Sequence, residues 1–170
     1  MLIELVRGKY PNISDPEFII KNRKFYFKEA LTWSMVSTNN FAARYVPSGA
    51  IFDISSPCLF DVNSPYLMLG LLNSKFYNKL LNVINPTMNY NVGDVENLPL
   101  PSIPDSIKKR IEELVIRNIE LSKEEWDSYE VSWGFSTNPL VKSGKKKISE
   151  AYLEWETICK ERLEEVRKNE

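Results

Sequence analysis

Histidine is absent from the chain. With it go the commonest general base and the commonest transition-metal ligand, so imidazole-based triads and zinc sites of the usual composition are disfavoured and no metal is expected. Glycine is scarce: Gly8, Gly49, Gly70, Gly93, Gly134 and Gly144 stand singly, and no glycine-rich loop is available to cradle a phosphate or a nucleotide-like cofactor. Only Cys58 and Cys159 carry thiols. Far apart in a chain without a secretory signal, they are expected to be reduced rather than bridged. The opening Met-Leu-Ile-Glu-Leu-Val places an acid where a signal peptide has basic residues. No apolar run approaches the roughly 18 residues that cross a bilayer, so the expectation is a cytoplasmic chain with no membrane partner.

What is present is 170 residues, 43% of them hydrophobic, enough to bury a core and form one compact domain with an appended helical segment. The net charge of −1 runs against the basic excess of domains that track phosphate. That average conceals an asymmetry. Residues 150–170 hold 7 acids and 4 bases, a balance of −3, which leaves 16 acids and 18 bases, or +2, for residues 1–149. Bases gather at Lys21, Arg23, Lys24 and Lys28, and again at Lys142, Lys145, Lys146 and Lys147. Each group reads either as a phosphate-facing patch or as ordinary solvated surface.

Pro11, Pro16 and mixed polarity without a period make 1–23 an expected irregular lead-in. Over 24–60 strong β-formers come in short runs, at 25–27, 31–36, 41–46, 50–54 and 58–60, separated by turn residues. This predicts a small antiparallel sheet. Ser64-Pro65 is a helix start, and Asn73-Ser74 can end that helix and cap a second, in which Phe76, Tyr77, Leu80, Leu81 and Ile84 recur at helical spacing until Pro86 stops it. A short strand over 88–92 and the extended Leu98-Pro99-Leu100-Pro101 lead to Pro104. From 105 to about 129 a third helix carries Ile107, Ile111, Leu114 and Val115 on one face. A last helix has the stripe Ile148, Ala151, Tyr152, Trp155, Ile158, Cys159, Leu163 and Val166, a packing face that would let the two final helices pair antiparallel as a strut. The expected class is α+β: a small, mostly antiparallel sheet with packed helices over 24–103, then a long helical segment over 104–170.

Little of this carries chemistry. Asp53 and Asp61 sit near strand ends and read as turn-formers. Asn85-Pro86-Thr87-Met88-Asn89-Tyr90 invites comparison with the Asn-Pro-Pro-Tyr motif of adenine-N6 methyltransferases, in which the asparagine and a proline carbonyl hold the amino group of a flipped adenine while the aromatic ring stacks on the base. Thr87 and Met88 occupy the third and fourth places here, and no S-adenosylmethionine loop precedes them. The motif therefore reads as a helix stop leading into a strand.

Three stretches carry a family resemblance. The first pairs Leu31-Thr32-Trp33-Ser34-Met35-Val36-Ser37 with the segment 40–53. The second pairs Leu69-Gly70-Leu71-Leu72-Asn73-Ser74-Lys75 with Asn85-Pro86-Thr87 and the segment 92–99. The third is Trp126-Asp127-Ser128-Tyr129-Glu130-Val131-Ser132-Trp133. Together they resemble the C-terminal half of the PglX-type methyltransferases of BREX phage-defence systems. The middle stretch also resembles target-recognition domains of Type I specificity subunits and single-chain restriction-modification enzymes. The resemblance covers nearly everything from Tyr26 onward.

It implies a target-recognition-like core over 24–103 and a helical spacer over 104–170. It further implies a chain that reads a short stretch of double-stranded DNA so that a catalytic methyltransferase domain of the same parent can methylate adenine at N6. The cofactor, S-adenosylmethionine, would belong to that parent; this chain is expected to be a fragment with no catalytic or cofactor-binding residues. Target readers need polar side chains on loops at one end of a rigid sheet, with cations for phosphate. Ser37, Thr38, Asn39, Asn40 and Arg44 form one such group and Asn89 and Asn91 a second, each with an alternative role in turns. Lys21, Arg23, Lys24 and Lys28 would meet the DNA backbone. The main rival is an interaction module whose C-terminal helices dock a partner protein of a defence complex, favoured by the acidic tail and the apolar stripe. A free-standing enzyme is disfavoured by the missing histidine and loops.

Overall fold

The structure is a computed structural model and describes residues 2–15 and 19–169. It divides into two compact units, Met1–Pro65 with Leu81–Asn97, and Tyr66–Leu80 with Leu98–Glu170. The α+β class holds. Residues 66–80 fall in the second unit together with 98–170.

The first unit opens with helix α1 (Leu2–Lys9), where an irregular lead-in was expected. Ile3 and Val6, three apart, share a half-buried face. Glu4 lies in the first turn and Arg7 and Lys9 in the last, the polarity that the helix dipole favours. Pro16, one of the breakers behind that expectation, lies outside the described residues.

The sheet is β1 (Ala30–Trp33), β2 (Ala43–Val46) and β3 (Cys58–Leu59) in the order β2-β1-β3, all antiparallel. Leu31 stands opposite both Tyr45 and Leu59. As the central strand β1 is buried along its whole length, with Leu31 and Trp33 almost inaccessible, which accounts for its uninterrupted Ala-Leu-Thr-Trp. Two runs expected as strands are not in the sheet. Residues 23–25 make a 3-10 turn and Phe27 takes a positive φ of 65°, while 50–54 is irregular, with Asp53 accepting from the Ser55 amide (2.8 Å) and hydroxyl (2.6 Å). The aromatics that suggested strands are spent on each other instead. Phe25 stacks on Phe60 at 4.7 Å, and Phe52 lies 5.4 Å from Tyr26 and 4.9 Å from Phe60.

In the second unit, α2 (Pro65–Asn73) and the first part of α3 (Lys75–Ile84) meet the expected limits. The remainder of α3, from Leu81, belongs to the first unit, as does the short α4 (Val92–Glu96), which was not expected. α5 (Asp105–Trp126) ends slightly before 129, α6 (Pro139–Lys142) is a single turn in the expected loop, and α7 (Ile148–Asn169) has the expected limits, but its stripe packs only in part: Ala151 is buried, whereas Ile148, Tyr152 and Leu163 are exposed. A Cβ on Gly70 would sit 2.8 Å from Ile111 Cγ2 and 2.9 Å from Val115 Cγ2, so the missing side chain is what lets α2 approach α5. Arg117 Nε donates to Glu165 Oε1 at 2.6 Å and Nη2 to Oε2 at 3.1 Å; Arg162 faces Glu124 at 3.5 Å. The residue numbers run in opposite senses, so α5 and α7 pair antiparallel. These ion pairs are partly exposed, so they set register more than they stabilise.

The Trp-Asp-Ser-Tyr-Glu-Val-Ser-Trp stretch forms a tight knot after α5. Ser132 Oγ donates to Asp127 Oδ1 (2.6 Å), the Gly134 amide donates to Ser132 Oγ (3.1 Å), and Lys123 pairs with Asp127. Trp126 and Trp133 remain in solvent.

Candidate functional site

Beyond the end of β1 the chain bends at Met35 and pairs with the segment after α3. Tyr90 N–H donates to Met35 O (2.7 Å), Ser37 N–H donates to Met88 O (2.9 Å), and Val36 faces Asn89 in an antiparallel bridge. The expected strand over 88–92 is thus a single bridge, and the chain then turns into α4. Under this pairing lies an aromatic floor. Trp33 Nε1–H donates to Tyr90 O at 2.8 Å, Phe41 lies 5.8 Å from the Trp33 ring and 5.2 Å from that of Tyr90, and the Tyr90 hydroxyl donates to Asn39 O at 3.3 Å. All three rings are buried.

Above the floor is an open cleft of about 1090 Å³ lined by residues 37–42 and 86–90 with Asn82. It gathers Ser37, Thr38, Asn39, Asn40 and Asn89 from the sequence candidates and adds Asn82, Thr87 and Met88. No charged side chain is among the described residues that line it. The added residues left weak signals: Asn82 looks like any polar residue on the outer face of a helix, though Pro86 four positions later fixes it in the last turn.

The asparagines around the cleft fall into two kinds. Asn85 is saturated: Nδ2 donates to Asn89 O (2.8 Å) and Asp94 Oδ2 (2.7 Å), and Oδ1 accepts from the Thr87 amide (3.2 Å) and hydroxyl (2.7 Å). Asn91 starts α4, its amide donating to Asp94 Oδ2 at 3.1 Å and its side chain to the same oxygen at 3.3 Å. These bonds, that from Asn85 first, hold the Asp94 carboxyl below its ordinary value. By contrast the side-chain amides of Asn39, Asn40, Asn82 and Asn89 make no hydrogen bond among the described residues. Two of these four are fixed through their backbones: Asn39 N–H donates to Ser37 Oγ (3.1 Å), and Asn89 N–H donates to Thr87 Oγ1 (3.2 Å).

Arg44 and Asn91 are outside the lining. Arg44 lies on β2 opposite Thr32, its guanidinium 3.3 Å from Ser34 Oγ. Lys21, Arg23, Lys24 and Lys28 are exposed around the 3-10 turn. Lys24 and Lys28 sit 4.9 and 5.5 Å over the Phe25 ring, and Lys28 pairs with Asp61 at 3.1 Å.

The described residues offer no cluster of three His, Cys, Asp or Glu that could hold a metal ion, and no described helix is long and apolar enough to cross a membrane. Both cysteines are free, and burial pushes both thiols up, away from the reactive range. Both hydrogens and the carbonyl oxygen of the Asn85 amide are engaged within the fold, so this asparagine is not free to hold the amino group of an extruded adenine.

No family model matches the chain. Over 156 residues it is 35% identical to the adenine-specific methyltransferase BrxX of Escherichia coli O9:H4 (strain HS), covering 88% of this chain and 12% of that protein. Over the same length it is 34% identical to the adenine-specific methyltransferase PglX of Lacticaseibacillus casei (strain Zhang), covering 88% of this chain and 13% of that one. This chain is homologous to a segment of both. It spans about an eighth of the length of these methyltransferases.

Proposed function

We propose that this chain is a DNA target-recognition segment of an adenine-N6 methyltransferase of the BREX or restriction-modification type, directing methylation by a catalytic domain that lies elsewhere in the parent. The observation that carries this reading is the set of unspent amides in the cleft, fixed over a rigid floor in a segment homologous to adenine-specific methyltransferases. Hydrogen-bonding side chains held ready at one end of a sheet are what base-edge reading requires. Double-stranded DNA is then the partner of the first unit, with Lys21, Arg23, Lys24 and Lys28 as the candidates to meet phosphate. S-adenosylmethionine and the methyl transfer belong to the catalytic domain.

Methylation-site sequencing of genomes carrying the parent enzyme with Asn40→Ala or Asn89→Ala tests it. Target choice should relax at one position while nonspecific duplex binding stays nearly intact; wild-type target choice at wild-type rate in both variants would sink the reading.

A second reading, a module that docks a protein of the defence complex through the C-terminal helices, is favoured by the exposure of Ile148, Tyr152, Leu153 and Leu163 on α7. If it holds, Leu153→Asp should abolish association with that protein and leave target choice unchanged.

A further inference from the structure

Resting on the target-recognition reading, we infer that the cleft reads the major-groove edge of A·T base pairs and is not built for G·C pairs or for an extruded base. The surface that the cleft offers to a ligand excludes the extruded base first. Its aromatic rings, Phe41 and Tyr90, are only 3% and 4% exposed and pack against each other and Trp33, so no ring face is free to stack on an unpaired base. Recognition by stacking, the usual device for single strands and flipped nucleotides, has no platform here. The groups that do reach solvent are amides and hydroxyls, with the apolar surfaces of Ala42, Pro86 and Met88 among them.

Among base pairs the choice follows from hydrogen-bond types. Guanine presents two acceptors in the major groove and is met by Arg or Lys; cytosine presents a donor and is met by Asp or Glu. Among the described residues neither kind of side chain lines the cleft, and Arg44 engages Ser34 instead. Adenine presents an acceptor at N7 beside a donor at N6, and a carboxamide offers the matching donor and acceptor on one rigid plane. Asn39, Asn40 and Asn89 carry such amides with neither end used. Thymine adds a methyl group at C5, which needs an apolar contact, and Met88 stands 56% exposed in the same cleft.

The test uses the whole chain and a library of duplexes randomised at the centre, with the bound fraction sequenced at low salt. The selected core should contain A·T pairs. Replacing the selected adenine by 7-deazaadenine, which lacks only the N7 acceptor, should weaken binding on the order of tenfold. That loss should vanish in Asn40→Ala or Asn89→Ala, whose affinity is already reduced. Selection of G·C pairs, or indifference to 7-deazaadenine in the wild-type chain, overturns the A·T inference while leaving target recognition standing. Duplex binding without any sequence preference overturns the inference too, and no duplex binding at any salt concentration overturns both.

Discussion

At the scale of single residues, one amino-acid type does two jobs within a few ångströms, and the hydrogen bonds separate them. Asn85 fastens the end of α3 to the segment after it and to Asp94, so Asn85→Ala should remove four hydrogen bonds, of which the one to Asp94 is part-buried and the others are exposed. A loss of about 1 kcal/mol is expected, read from urea unfolding. Asn40→Ala removes an exposed amide that bonds to nothing within the described residues and should change stability by no more than about 0.5 kcal/mol. The stability of the two variants, and not their sequence, tells the fastener from the reader. Asp94 adds a pH dependence. Folding favours its carboxylate, chiefly through the Asn85 amide, so its contribution is whole above the ordinary value of 3.8 and is lost as pH falls through the lower folded value. Between neutral pH and acid below 3.8, the wild-type urea midpoint should fall further than that of Asp94→Asn.

Among the elements, the helices from α2 to α3 and the long α5 and α7 were legible, whereas the short α1 and α4 and the loops were not. The limits of α2, α3 and α7 follow from Pro65, Asn73-Ser74, Pro86 and a stripe at helical spacing, signals that are local to each helix. The strands at 25–27 and 50–54 failed because β-propensity reports aromatic and branched side chains that want burial, and here ring packing around Phe60 supplied it without a ladder. α4 was missed because its cap depends on an asparagine whose neighbours also suit a strand. In the candidate site, the loop at 37–40 and Asn89 could be found from polar residues between β-formers, whereas their meeting across the Val36–Asn89 bridge is a long-range pairing that no local pattern encodes. Asn82 was invisible for the same reason. Gly70 tests the helical packing directly: Gly70→Ala drives a methyl into Ile111 and Val115, and overpacking should outweigh the gain in helix propensity, lowering stability by about 1–3 kcal/mol. An unchanged melting temperature would mean that α2 and α5 are not in close contact in solution.

Over the whole molecule, with a net charge of −1 and no charged side chain among the described residues that line the cleft, phosphate attraction is expected to rest on a few lysines and arginines near the 3-10 turn. Nonspecific duplex affinity should be no tighter than micromolar, with a shallow salt dependence. Replacing Lys21 and Lys24 together should weaken all duplexes alike and flatten the slope by about 0.9 for each phosphate that is no longer neutralised. Lys28 should contribute less, since it already faces Asp61. The four tryptophans also divide between the two units. Trp33 is sealed beneath the cleft with its indole N–H on Tyr90 O, whereas Trp133 stands wholly in water and Trp126 more than half so. The molecule therefore carries its own pair of optical labels, a blue-emitting indole that iodide cannot reach and red-emitting ones that it can. A ligand entering the cleft should perturb the shielded emission, and a protein docking on the C-terminal helices should protect the quenchable fraction, so that light alone separates which unit has met its partner.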